Sequence, residues 1–164
     1  MTPGPGARLV RSRGGRLLLT GGGIVVLQLV VFGPSVVGAR ILLPVDLLAQ
    51  PGALLPRTPE SGAVRPHDSV QGDQILQYEP LRRFCAAEFR AGRAPLWAPF
   101  EYCGAPLAVF PKYSMFNLIY YCFPTPYALA WMQLAKALVG GAGAYFFCRR
   151  VLAVRFVPAA VGAA

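Results

Sequence analysis

The sequence predicts an all-α membrane protein with two transmembrane helices, a truncated third, and a large extracytoplasmic loop that carries an amphipathic helix. Three observations lead there. The chain has 164 residues, 55% hydrophobic and 14% charged, an apolar share above and a charged share well below those of soluble domains. The apolar residues gather in long uncharged runs rather than periodic faces, and the mean hydropathy is +0.47, which is how membrane spans read. The net charge of +9 is concentrated at the two ends of the chain.

That distribution sets the orientation. Arg8, Arg11, Arg13 and Arg16 precede the first apolar run, and Arg149, Arg150 and Arg155 follow the second, with no acid in either segment. Between residues 38 and 125, eight basic residues face all seven acids of the chain (Asp46, Glu60, Asp68, Asp73, Glu79, Glu88 and Glu101). Basic clusters beside apolar runs mark the cytoplasmic side. A nucleic-acid surface would instead interleave basic with polar and aromatic residues on one exposed face, so no nucleic-acid partner is expected. The N-terminus and the Arg149 region are therefore expected in the cytoplasm and loop 38–125 outside it.

The elements follow in order. After the basic segment 1–16, residues 17–37 form an uncharged run of twenty-one, about 30 Å long as a helix and enough to cross the hydrocarbon layer. Gly21, Gly22, Gly23 and Pro34 weaken it as a soluble helix but are tolerated in a membrane. The alternative is a cleaved signal peptide, whose apolar core is ordinarily shorter. Residues 50–66, rich in Pro and Gly, read as a connector. Asp73 is placed to cap a helix over 73–91, with Pro80 in its first turn, Leu81, Phe84, Cys85 and Phe89 at helical spacing, and Gly92 as the stop. Such a helix lies on the bilayer surface or under the rest of its own domain.

Four prolines, together with the large aromatics Trp97, Phe100 and Tyr102, exclude regular helix and central strand between Arg93 and Pro111, which leaves an ordered loop. Tyr113, Tyr120, Tyr121, Tyr127 and Trp131 read as an aromatic belt at headgroup level. The second span is predicted over 126–147. Its small residues at four-residue spacing, Ala137 with Gly141 and Gly140 with Ala144, let another helix approach, which makes the rest of its own bundle a partner alongside membrane lipid. A cytoplasmic loop over 148–155 leads to an apolar run at 156–164, too short to cross. The expectation is an incomplete part of a larger polytopic protein, or a diverged remnant of one.

Candidate chemistry concentrates in the outer loop. His67, Asp68, Asp73 and Glu79 form its densest titratable set. Carboxylates near a membrane surface can act as general base or hold a divalent cation against a phosphate; the plain alternative is a solvated loop paired with nearby Arg. A single histidine and four cysteines without a CxxC pair argue against zinc or a Ser-His-Asp triad. A Cys85–Cys103 disulfide is open in an oxidising compartment. Lys136, near the centre of the second span, faces a polar cavity or a lipid phosphate, or snorkels.

The segments Gly72-Asp73-Gln74, Gln77-Tyr78-Glu79-Pro80, Gly92-Arg93-Ala94-Pro95-Leu96-Trp97-Ala98-Pro99-Phe100 and Cys103-Gly104-Ala105-Pro106-Leu107-Ala108 resemble the first outer loop of bacterial YfhO-like membrane proteins. There an Asp-Gln and a Tyr-Pro-like pair precede G-x-x-P-L-W-N-P-Y and G-x-P-L-x-A segments. The likeness runs from about Asp68 to Arg150. Two departures stand out: Ala98 replaces the family's Asn, and its usual Gln after the second segment is replaced near Lys112 and Tyr113.

The resemblance implies a GT-C-type glycosyltransferase of the bacterial cytoplasmic membrane, taking a sugar from a polyprenyl-phosphate donor to an extracytoplasmic acceptor. It makes Asp73 the catalytic base and Asp68 and Glu79 acidic neighbours on the substrate side. Arg82, Arg83 and Lys112 would stabilise the leaving phosphate, with Lys136 near a lipid phosphate. Trp97, Phe100 and Tyr102 would stack on a sugar or pack the loop. No cofactor is required by this scheme, and a divalent cation is optional. The fragment alone is not expected to turn over. The alternative is a non-catalytic membrane protein or remnant whose outer loop binds lipid or a partner.

Overall fold

The computed structural model describes residues 12–49, 58–59, 64–65, 67–107, 114–123 and 125–164. The fold is mostly helical, 66% of the described residues, and divides into two compact units, residues 1–40 with 130–164, and residues 41–129.

The first unit is built on helix α1, Arg13–Val36. Ser12 caps it by accepting from the Gly15 N–H at 2.9 Å, so the helix starts four residues before the uncharged run, with Arg13 and Arg16 in its first turn. It ends beyond Pro34, where the carbonyl of that proline accepts from Ala39 and Arg40 and Gly38 takes φ 83°. Among the described residues α1 is the one helix both long and apolar enough to cross a membrane, with a mean hydropathy of 2.0. It buries only Gly15, Thr20, Ile24 and Ser35. Most of its large apolar side chains are exposed, Leu18 at 73% and Val30 at 75%.

The last long helix, Ala128–Arg150, has the length of a span, but Gln133 and Lys136 interrupt its apolar run, and it is less apolar than α1. Gly141, one of the small residues singled out above, is where this helix receives Ile24 of α1: a Cβ there would lie 2.5 Å from Ile24 Cδ1 and 2.5 Å from the Ala163 carbonyl oxygen. Gly140 faces open space instead. Trp131 donates its indole N–H to the Val36 carbonyl at 3.1 Å, satisfying one of the orphan acceptors at the end of α1. After Ala153, at φ 52°, the short helix Phe156–Val161 turns back. Ala159 and Ala163 then pack on Tyr145.

The second unit contains helix α2, Glu79–Arg90, and helix α3, Asn117–Cys122. A widened helical turn, Gln74–Tyr78, leads into α2. Its position has a steric reason: the ring of Pro80 would strike the carbonyl four residues back in a regular helix, and the wider turn carries that carbonyl away. The predicted cap is corrected here. Asp73 makes no capping hydrogen bond; Asp68 caps the preceding turn, accepting from Val70 N at 3.0 Å and from Gln71 Nε2 at 3.0 Å. Gly92, at φ 73°, closes α2, and Arg93 N returns to the Glu88 carbonyl at 2.9 Å.

Leu81, Cys85 and Ala86 are fully buried, so α2 hides its apolar side inside its own unit. The loop after it forms a two-residue antiparallel pair, β1 (Trp97–Ala98) against β2 (Ala105–Pro106). Gly104 is required in the turn by its φ of 115° and because a Cβ would stand 2.7 Å from the Trp97 ring. Phe100 docks edge-on against Phe84 of α2, with ring centroids 5.3 Å apart. Tyr120 and Tyr121 are buried in this unit rather than forming part of an aromatic belt, because α3 packs directly on α2. Cys85, buried, and Cys103, exposed, are not joined, so the open disulfide is not formed.

Candidate functional site

Glu79 is the centre of the one buried ionic cluster among the described residues. It lies at the start of α2, only 3% exposed. Its Oε2 accepts from Arg82 Nε at 3.2 Å, and its Oε1 accepts from Arg83 Nε at 2.8 Å and from the Tyr120 hydroxyl at 2.8 Å. The helix supplies the two arginines by spacing, three and four residues on. Tyr120 arrives from α3, 41 positions away.

Three donors engage this carboxylate, two on Oε1 and one on Oε2. Buried and engaged within the protein, Glu79 acts as a positioning residue. What it positions is Arg82. The Arg82 side chain is 12% exposed, and its Nη2 is buried without a hydrogen-bond partner. A buried cationic donor left unmade costs free energy that an incoming anionic oxygen would recover. Arg83 is mostly exposed, and its hydrogen bond to Glu79 raises its pKa above the ordinary guanidinium value.

Burial pushes the Tyr120 hydroxyl up to about 12, with the Glu79 hydrogen bond and charge adding to the rise and the two arginines opposing it. The folded value lies above the ordinary tyrosine value of 10.0. The stability this proton contributes is therefore complete below about pH 10 and lost as the pH rises through about 12. In a difference titration against Tyr120→Phe, monitored by tyrosinate absorbance, the missing hydroxyl is expected to be one that ionises near pH 12. A difference centred at pH 10 would contradict the buried hydrogen bond.

Beside the cluster, the C-terminal end of α2 and the start of α3 enclose an open apolar groove of about 520 Å³. Phe89, Pro95, Met115, Leu118 and Tyr121 line it, with Arg93 at its edge. Arg93 is held there by a two-pronged pair to Glu88, Nε at 2.8 Å and Nη2 at 2.5 Å. That hydrogen bond lowers the Glu88 pKa.

The remaining candidates are dispersed. Asp73 is exposed at the entrance of the widened turn and takes no part in the Glu79 hydrogen bonds. Asp68 is engaged in its local cap. Trp97 and Tyr102 are exposed on the hairpin, which is tied to the widened turn by a 3.4 Å hydrogen bond from Gln77 Nε2 to Glu101 Oε2. Lys136 is exposed on the long helix of the other unit. Lys112 lies outside the described residues. Among the described residues, no three His, Cys, Asp or Glu side chains come together to hold a metal.

Sequence reasoning missed Tyr120 and the groove. Tyr120 carries no local signal because its partner is on another helix. Leu118 and Tyr121 do share a helix face at a spacing of three, but only packing shows what that face meets. No protein-family model, curated protein sequence or solved structure matches the chain.

Proposed function

We propose that the chain belongs to a membrane-embedded, GT-C-type glycosyltransferase of the YfhO-like kind, in the bacterial cytoplasmic membrane. In this reading α1 and the helix Ala128–Arg150 both cross the bilayer. The unit 41–129 faces the extracytoplasmic side, where it meets a polyprenyl-phosphate sugar donor and the acceptor. The observation that carries it is the Arg82 guanidinium, fixed by Glu79 with one N–H pair buried and unpartnered, on the same helical segment that an exposed carboxylate, Asp73, introduces. Two further features support it. The apolar stripe of α1 is exposed in the manner of a lipid-facing surface, and the groove beside Tyr121 suits the apolar chain of a lipid carrier.

The chemistry divides between these groups. Asp73 accepts the proton of an acceptor hydroxyl as its oxygen bonds to the anomeric carbon of the sugar. The bond from that carbon to the phosphate oxygen breaks, and the electron pair leaves with the polyprenyl phosphate. Arg82 and Arg83 stabilise the charge that develops there. Trp97 and Tyr102 offer apolar faces to the sugar.

Asp73→Asn is expected to lower glycosyl transfer from a polyprenyl-phosphate donor by about 100-fold or more, the range of a lost general base, while leaving the chain folded because Asp73 supports no buried contact. The assay follows label from the lipid-linked sugar into envelope polymer in membranes carrying the full protein. Transfer at the wild-type level removes Asp73 as base. Absence of transfer from any lipid-linked sugar by the wild-type protein favours the non-catalytic reading.

A further inference from the structure

The end of the first unit where α1 starts and the helix Ala128–Arg150 finishes carries a second basic site. Arg13 and Arg16, in the first turn of α1, and Arg149 and Arg150, in the last turn of the long helix, converge on one pocket of about 270 Å³ that Tyr145 and Phe146 also line. Two of the four are held in place by the protein. Arg149 Nη1 donates to the Val154 carbonyl at 2.6 Å, and the Arg16 guanidinium sits 5.7 Å from the centroid of the Phe156 ring. Arg13 and Arg150 are exposed.

Four guanidinium groups gathered at one pocket repel one another and call for a counter-charge. The unit has no acidic side chain of its own, since residues 1–40 and 130–164 include no Asp or Glu. The carbonyls ending the long helix offset a fraction of one charge at most. The pocket also sits at a defined level. It lies at the mouth of a 24-residue apolar helix, so with α1 across the bilayer it falls among the lipid headgroups.

We propose that this pocket binds the phosphate of an anionic phospholipid headgroup, with Arg13, Arg16, Arg149 and Arg150 around the phosphate oxygens and Tyr145 and Phe146 against the glycerol and first methylenes. Guanidinium forks match phosphate oxygens two at a time, and a basic pocket between helices at the cytoplasmic face is suited to such headgroups. The proposal rests on α1 crossing the membrane and is independent of glycosyl transfer. An Asp73→Asn chain keeps the lipid preference whatever happens to its activity.

The test uses the full chain in neutral detergent, mixed with equimolar phosphatidylglycerol and phosphatidylcholine, and counts the lipid retained by native mass spectrometry. Retained phosphatidylglycerol is expected to exceed phosphatidylcholine by about tenfold or more. Arg13→Gln/Arg150→Gln should bring the ratio to about one, since each basic group near an anionic lipid is worth roughly fivefold. Arg40→Gln/Arg155→Gln removes the same charge outside the pocket and should leave the ratio unchanged. Equal loss in both pairs, or a wild-type ratio near one, overturns the proposal. Inorganic phosphate raising the unfolding temperature as much as dihexanoyl-phosphatidylglycerol does assigns the pocket to free phosphate and overturns the lipid. Should the double variant fail to fold, Arg150→Gln alone, an exposed residue at a helix end, provides the same comparison.

Discussion

Glu79→Ala is expected to destabilise the protein by about 3 kcal/mol, the largest effect of any single carboxylate in the described structure. The substitution removes the acceptor of three hydrogen bonds at once and leaves the largely buried Arg82 without a counter-charge. Breaking a buried ion pair from one side costs on the order of 3–5 kcal/mol. The lower end applies because Arg83, with its side chain 65% exposed, regains water. The same exposure predicts that Arg83→Gln costs less than about 1 kcal/mol. Chemical denaturation in micelles, followed by circular dichroism, separates the two. Equal losses from Glu79→Ala and Arg83→Gln would show that the cluster behaves as a surface pair. Against a total stability of about 5–15 kcal/mol for an ordinary domain, the Glu79 loss is large enough to lower folded yield as well.

Gly141→Ala and Gly140→Ala are expected to move stability in opposite directions, although the residues are neighbours of the same type. At Gly141 the new methyl would meet the Ala163 carbonyl oxygen at 2.5 Å and Ile24 Cδ1 at 2.5 Å. One of these obstacles is backbone, which gives little, so overpacking should cost about 2 kcal/mol. At Gly140 nothing lies within 4 Å, and replacing glycine by alanine inside a helix gains on the order of 0.5–1 kcal/mol. Thermal unfolding of both variants in one detergent checks the signs. A destabilised Gly140→Ala, or an unaffected Gly141→Ala, would place the approach of α1 elsewhere on the long helix.

These two cases show how far residue patterns reach. The stop at Gly92 and the buried positions Leu81 and Cys85 follow from local sequence, because a helix repeats every 3.6 residues and its end needs a residue at ease with positive φ. The small residues of the long helix were legible as a place of close approach, but not which pair would be used. Asp73 read as a helix cap, but the cap that forms is made by Asp68 on the turn before it. Tyr120 and Tyr121 read as interfacial aromatics because a tyrosine in an apolar stretch has the same composition whether its neighbour is lipid or another helix.

The same contrast separates Asp73 from Glu79. Both are single acids in the unit 41–129, six positions apart, and nothing in their spacing distinguishes an exposed carboxylate from one engaged by three donors. Glu79 acquires its role from Arg82 and Arg83 within its own helix and from a hydroxyl 41 residues on, and only the last of these needs the chain to fold.

By itself the sequence determined that the chain is rich in helix, where its charges lie, and that α1 is apolar along its length. Those properties are sums over neighbouring residues. The tertiary structure decided which carboxylate is buried, which guanidinium is left with an unmet donor, which glycine receives a neighbour and which arginines share a pocket. Each of these depends on a contact between distant segments, and the free energy of such a contact appears only when both sides are brought together and water is removed from between them.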